Sequence, residues 1–139
     1  MPAYAQVYLS DVVEEQGRLF DLVAQEFPDS DTEDFIVTYM ASKTRKAIDE
    51  SQAYVNTMSA RDLLEFFMQF DNYTFKSGKA MGGFVPAWIG EFYAYYQWYY
   101  DIPSAILVQK LPIATMKQVY PGLHDLELSL AVQKVGKVL

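Results

Sequence analysis

The chain has no cysteine and one histidine, His124. Without thiols there is no disulfide and no thiolate metal site, an absence that suits a reducing compartment. A single imidazole with no HExxH-type spacing falls short of a histidine-based metal centre, so no metal site is expected. No arginine follows Arg61, and Lys and Arg form no cluster. That removes the basic patch on which nucleic-acid binding depends. The most apolar segment, 81–96, is broken by Pro86, by Gly83 and Gly90 and by Glu91. It is shorter than the roughly 18–20 clean apolar residues of a membrane span. The opening Met-Pro-Ala-Tyr-Ala-Gln lacks the basic region and apolar run of a signal peptide. The expectation is a soluble, cytoplasmic protein that does not enter a membrane.

What is present is apolar and aromatic material. The 139 residues are 51% hydrophobic and 16% aromatic, enough to build the core of one domain over 1–139. The net charge of −7 is unevenly spread. Residues 1–70 carry 13 acids and 5 bases, a net of −8, whereas residues 71–139 carry 5 acids and 6 bases, a net of +1. A chain of this sign repels phosphate backbones at long range.

The richest stretch is 86–101, Pro-Ala-Trp-Ile-Gly-Glu-Phe-Tyr-Ala-Tyr-Tyr-Gln-Trp-Tyr-Tyr-Asp. Pro86 suits a first helical turn, and Asp101 with Pro103 supplies the stop. Trp88, Phe92, Tyr95 or Tyr96 and Tyr99 mark one stripe, and Tyr93, Tyr96 and Tyr100 a second. A helix apolar nearly all round is buried on most sides, and its tyrosine hydroxyls then need partners. Glu91 and Gln97 are its polar exceptions. The spacing predicts a helix from Asp11 to Phe27, with Asp11 and Glu14 as a capping box. A second helix opens at Asp31 and either runs to Asp49 or breaks near Ser42, with Lys43, Arg45 and Lys46 complementing its C-terminal end. A connector holds Tyr54 and Val55. A third helix starts after Ser59, with Leu63, Phe66, Phe67 and Phe70 as its apolar side. Residues 71–85 read as a loop with a brief extended piece at 73–76. Short helices follow over 103–110, with Ile106, Leu107 and Leu111 inward, and over 112–120. Pro121-Gly122 reads as a turn, and the last helix covers 125–135. Leu126, Leu128, Leu130 and Val132 alternate as in a strand, but Leu128, Ala131, Val132 and Val135 also fit the helical period. The fold class is all-α: a single-domain bundle of about six helices around the 86–101 helix.

No motif specifies a reaction or a cofactor. Ser77-Gly78-Lys79-Ala80 fails as a phosphate loop, because position 73 is Tyr rather than Gly and position 80 is Ala rather than Ser or Thr. Asp29, Asp31, Glu33 and Asp34 lack the spacing and glycine of an EF-hand and read as helix-start acids. His124 reads as a helix-entry residue before a general base. A pocket formed by Glu91, Tyr95, Tyr99 and His124 is the enzyme alternative, with Glu91 as a carboxylate whose pKa burial would raise. Residues 103–120 have the outline of a helix-turn-helix, but the second helix offers only Lys117 and Gln118 to DNA. Another protein is the expected partner. Its candidate anchors are Tyr73, Phe75 and Phe84 in the glycine-rich loop, with Met81 beside them. Asp31 and Asp34 lie on an acidic face shared with the first helix and would steer a basic partner.

Tyr95-Tyr96-Gln97-Trp98-Tyr99, Ile102-Pro103-Ser104, Leu111-Pro112 and Tyr120-Pro121-Gly122-Leu123-His124 together resemble a group of small bacterial proteins of unassigned activity. The YYQW and YPxLH pieces are the distinctive ones, and the likeness covers most of residues 50–135. Such proteins are encoded beside candidate toxin or ADP-ribosyltransferase-like genes. The resemblance therefore implies an antitoxin or operon-partner role and supplies no catalytic residues. Glu91 departs from the pattern, which has an aromatic there.

Overall fold

The computed structural model describes residues 2–138. Among these residues there are nine α-helices and no strand: α1 (Leu9–Glu26), α2 (Thr32–Met40), α3 (Lys43–Asp49), α4 (Ala53–Asn56), α5 (Ala60–Phe70), α6 (Val85–Tyr100), α7 (Ser104–Lys110), α8 (Ile113–Leu123) and α9 (Leu128–Val135). The fold is all-α, and α6 is its axis. The count exceeds six partly because 31–49 breaks at Ser42 and the 53–56 connector closes a helical turn. None of the described helices is long and apolar enough to cross a membrane.

Pro86 lies in the first turn of α6, and Asp101 ends it in the left-handed region at φ 52°. Trp88, Ile89, Phe92, Tyr93, Ala94, Tyr96, Gln97 and Trp98 are buried. The tyrosine hydroxyls find partners, as burial demands. Tyr93 donates to the Leu111 carbonyl at 2.5 Å and Tyr96 to the Gly136 carbonyl at 2.6 Å, while Val138 N–H donates back to the Tyr96 hydroxyl at 2.9 Å. At the other end of the chain, Trp98 Nε1 donates to the Tyr4 carbonyl at 2.7 Å and the Ala3 amide donates to the Trp98 carbonyl at 2.9 Å. Residues 3–4 and 136–138 are thus pinned to the aromatic helix.

The most extensive helix pair is α1 with α6. It closes at two glycines. A Cβ on Gly90 would stand 2.5 Å from the Gln16 carbonyl oxygen, and one on Gly17 would stand 2.7 Å from Glu91 Cγ. The helices meet backbone to backbone there, which any side chain would prevent.

Caps set the remaining boundaries. Asp31 accepts the Asp34 amide at 3.0 Å, Ser42 that of Arg45 at 3.0 Å and Ser59 that of Asp62 at 3.2 Å. Asp71 adds a cap from a distance, accepting the Lys43 amide at 2.9 Å and the Thr44 amide at 3.1 Å. These four carboxylates and hydroxyls satisfy amides that a helix start leaves without partners.

Several expectations are corrected. A 3-10 turn over Gln6–Tyr8 leads into α1, so the helix starts at Leu9 and the Asp11–Glu14 box is not its cap. Because α2 ends at Met40, Lys43, Arg45 and Lys46 belong to a separate helix, and Arg45 turns inward. Phe70 is exposed and Phe66 half-buried, because Leu63, Leu64 and Phe67 already fill the inner side of α5. Ile106 is 37% exposed on α7. Pro121 and Gly122 lie inside α8 rather than in a turn. Proline's fixed φ is itself helical, and both residues are exposed, so water can serve the carbonyl that proline leaves without a donor. The last helix starts at Leu128, with Ala131 and Val132 buried.

Candidate functional site

Three grooves, of about 410, 390 and 320 Å³, ring the N-terminal half of α1. The first runs between α1 and the start of α5, lined by Asp11, Glu14, Glu15, Asn56 and Met58. The third adjoins it through Asp11, Asn56 and Thr57 and reaches Tyr8 and α4. The second lies between α1, α6 and α9, lined by Leu9, Val13, Glu14, Glu91, Tyr95 and Leu128. Every charged side chain lining the three is a carboxylate. Arg18 pairs with Glu14 and Glu15 on the outer side, and Glu15 also accepts the Ala60 amide at 2.8 Å. The Asn56 side-chain carbonyl is buried there without a donor. A charged lining of one sign complements a cationic ligand. No group of described residues has the arrangement of a metal site.

Of these acids, Glu91 and Asp11 have no partner among the described residues, and Glu91 is the more buried of the two. It is half-buried and has no hydrogen bond or ion pair among the described residues. Burial first, and the charge of Glu14 second, raise its pKa above the ordinary 4.5. A raised carboxyl makes the folded state bind protons more readily than the unfolded one. Its contribution to stability therefore falls as pH rises from the ordinary value through the folded value. Glu91→Gln should accordingly raise Tm at pH 7, and the gain should shrink as pH is lowered toward 4.5 and below. Thermal melts of both proteins at a series of pH values check this, and a Glu91→Gln variant less stable than wild type at pH 7 would contradict it.

Beside the clefts, α4 and α5 present a row of aromatic rings. Tyr54 meets Phe66 with centroids 5.8 Å apart, and Phe66 stacks on Phe70 at 5.0 Å. Tyr54 is 50% exposed and Phe70 48%. Asp62 and Glu65 stand exposed on the same helix as Phe66 and Phe70. The spacing of Asp62, Phe66 and Phe70 at four-residue steps was the signal for an outer stripe, offset from the inner stripe of Leu63, Leu64 and Phe67.

The loop anchors divide. Tyr73 packs on Phe67 at 5.1 Å and donates to Asp34 Oδ2 at 2.9 Å, and Phe75 stacks on Phe27 at 4.3 Å. Asp31 is a cap, and Asp34 also takes Lys76 at 3.3 Å, so both carboxylates are engaged within the fold. The loop is laced to 28–32, with the Asp31 amide donating to the Lys76 carbonyl at 2.8 Å and the Gly78 amide to that of Asp29 at 3.0 Å. Phe84 alone stands out, 81% exposed. Of the four pocket residues, Glu91 and Tyr95 share a groove and Tyr99 stacks on Tyr95 at 6.3 Å. His124 does not line that groove; it stacks on Tyr120 at 4.5 Å and lies 3.4 Å from Asp125. Lys117, the one cation of α8, is held by Glu33 at 2.7 Å.

Sequence reasoning missed a buried polar cluster. Arg45 is 1% exposed, with Nη1 3.1 Å from Asp49 Oδ1. The approach is close but off the hydrogen-bond direction, and none of the three guanidinium nitrogens has an aligned acceptor. Asp49 accepts the Ser104 amide at 2.8 Å and its hydroxyl at 2.6 Å. The Tyr4 hydroxyl is buried without a partner, and burial pushes its pKa up to about 12 against the lowering effect of Arg45. Tyr39, wholly buried, donates to Gln16 Oε1 at 2.8 Å. Comparison with protein-family models, curated proteins and solved structures gives no match.

Proposed function

We propose that the chain is a non-catalytic protein-binding module, in the manner of an antitoxin or operon partner, that holds a basic protein on the face built by α4, α5 and the start of α1. The observation that carries this reading is the contiguous row Tyr54, Phe66 and Phe70, with Tyr54 edge-on to Phe66 and Phe66 stacked on Phe70. Its two outer rings are about half-exposed, and acids border it on α5 and in the clefts of α1. Rigid aromatic rings partly desolvated by one another are what interface hot spots are made of. Carboxylates around them steer a cationic partner and add less to the final affinity. The likeness of the YYQW and YPxLH segments to operon-encoded proteins points the same way. The test begins with co-purification from the native host and continues with the partner so identified. Phe66→Ala with Phe70→Ala should weaken binding by on the order of 2 kcal/mol or more. Asp62→Lys with Glu65→Lys should instead slow association and flatten its salt dependence. Unchanged affinity in the first pair, with the helical signal intact, would remove this face from consideration.

A further inference from the structure

The groove between α1, α6 and α9 has a more specific chemistry than the face beside it. Resting on the protein-binding reading, we propose that it is a socket for one long basic side chain, lysine or arginine, of the partner protein. Leu9 and Val13 on α1 and Leu128 on α9 give it apolar walls, and Tyr95 adds an aromatic one. Tyr95 is held by its neighbours, with Tyr99 at 6.3 Å and Trp98 at 5.5 Å between ring centroids. Its volume of about 390 Å³ is ample for a long side chain.

The polar end is Glu91. Glu14, shared with the first groove, carries a second carboxylate there, already paired with Arg18. Glu91 has no such partner. It packs directly over Gly17, where a Cβ would lie 2.7 Å from Glu91 Cγ and 3.2 Å from its Oε2. A half-buried carboxylate facing another carboxylate works against folding, because burial partly desolvates it and the like charges repel. A glutamine would satisfy the same space without that penalty. What glutamine cannot do is complement a cation. A methylene stem against Leu9, Val13 and Leu128, with a charged head at Glu91 and over the Tyr95 ring, matches the apolar, aromatic and acidic parts of the groove.

The probe is N-acetyl-lysine methylamide, with the arginine analogue in parallel and N-acetyl-norleucine methylamide as the uncharged control. Titration into 15N-labelled protein at low salt should give saturable shifts at the amides of Val13, Glu91, Tyr95 and Leu128 with one or both cationic analogues. Affinity should fall about tenfold in Glu91→Gln, while the Tm of that variant rises. A fall of less than threefold overturns the socket. So does a norleucine analogue that moves the same amides as far, or the absence of saturable shifts with both cationic analogues. The protein-binding reading is judged separately, by Phe66→Ala with Phe70→Ala against the whole partner. The socket can therefore fail while that reading holds, and the reverse.

Discussion

Replacing Arg45 by methionine should destabilise the protein by about 3–5 kcal/mol, the range found when one member of a buried ion pair is removed. The guanidinium is 1% exposed, and its one close anion is Asp49 at 3.1 Å. Burial raises the pKa of Asp49 above the ordinary 3.8, and the charge of Arg45 works against that rise. Methionine removes the counter-charge and leaves the carboxylate in the same enclosed place, held only by Ser104. The pair as a whole is a weak source of stability, because both ions were desolvated and the guanidinium nitrogens have no aligned acceptors. Arg45→Met combined with Asp49→Asn removes both charges and keeps an oxygen for Ser104. The double variant should come back to within about 1 kcal/mol of wild type or exceed it, since swapping a buried pair for neutral groups is often neutral or stabilising. pH separates charge from packing. In Arg45→Met the Asp49 carboxyl should titrate higher still, so the folded state takes up its proton more readily. The penalty of the single variant should be full at neutral pH and shrink as pH falls toward 3.8. Urea melts of the three proteins at pH 7 and at acid pH measure all of this. If the double variant stays as unstable as the single one, Arg45 acts through the fit of its stem rather than through its charge.

How far the sequence discloses this molecule depends on whether a signal is local. Pro86, Asp101 and Pro103 bound α6 to within a residue, because a missing amide and a left-handed stop act on the chain where they stand. Ser59 and Asp31 announced their helices for the same reason, and Ser42 marked the break between α2 and α3 without deciding it. The Asp11–Glu14 pair misled because the preceding 3-10 turn had already started the helix. Pro121 misled because a proline in a helix's exposed last turn gives up little. Arg45 has the sequence position of a helix-end cation, but α3 turns it into the core. The row of Tyr54, Phe66 and Phe70 needed α4 to be placed beside α5, and no periodicity within either helix contains that. Glu91 was visible as a polar exception in an aromatic helix. Its neighbours Val13, Glu14 and Leu128 come from helices far away in sequence, and His124, close to it in the expected pocket, belongs to another part of the surface.

Gly90→Ala should be the most damaging single methyl that can be added to this chain, with an expected loss on the order of 3 kcal/mol. Helix propensity alone predicts the opposite, a gain of about 1 kcal/mol for alanine over glycine in a helix interior. The crossing with α1 decides the sign. A Cβ at residue 90 would stand 2.5 Å from the Gln16 carbonyl oxygen, 2.8 Å from its carbon and 3.0 Å from the Gly17 Cα. All three are backbone atoms of a packed helix, so no rotamer change relieves the overlap and α1 itself must move away from α6. That movement would loosen Leu19, Phe20 and Val23, which are buried in the common core. Two other glycines serve as references. Gly17→Ala meets Glu91 Cγ at 2.7 Å, the flexible part of a side chain, and the Ala87 carbonyl oxygen at 3.1 Å. It should lose less than Gly90→Ala, and part of that loss should disappear when Glu91 is also alanine. Gly122→Ala, with nothing within 4 Å of the new methyl, should be neutral or slightly stabilising on the exposed side of α8. Chemical denaturation of the three alanine variants and the Gly17→Ala, Glu91→Ala pair gives the order directly. A Gly90→Ala variant as stable as Gly122→Ala would mean that α1 and α6 do not meet backbone to backbone. The groove that holds Glu91 against Gly17 depends on the same crossing, so a Gly90→Ala variant that still folds should also lose the lysine analogue.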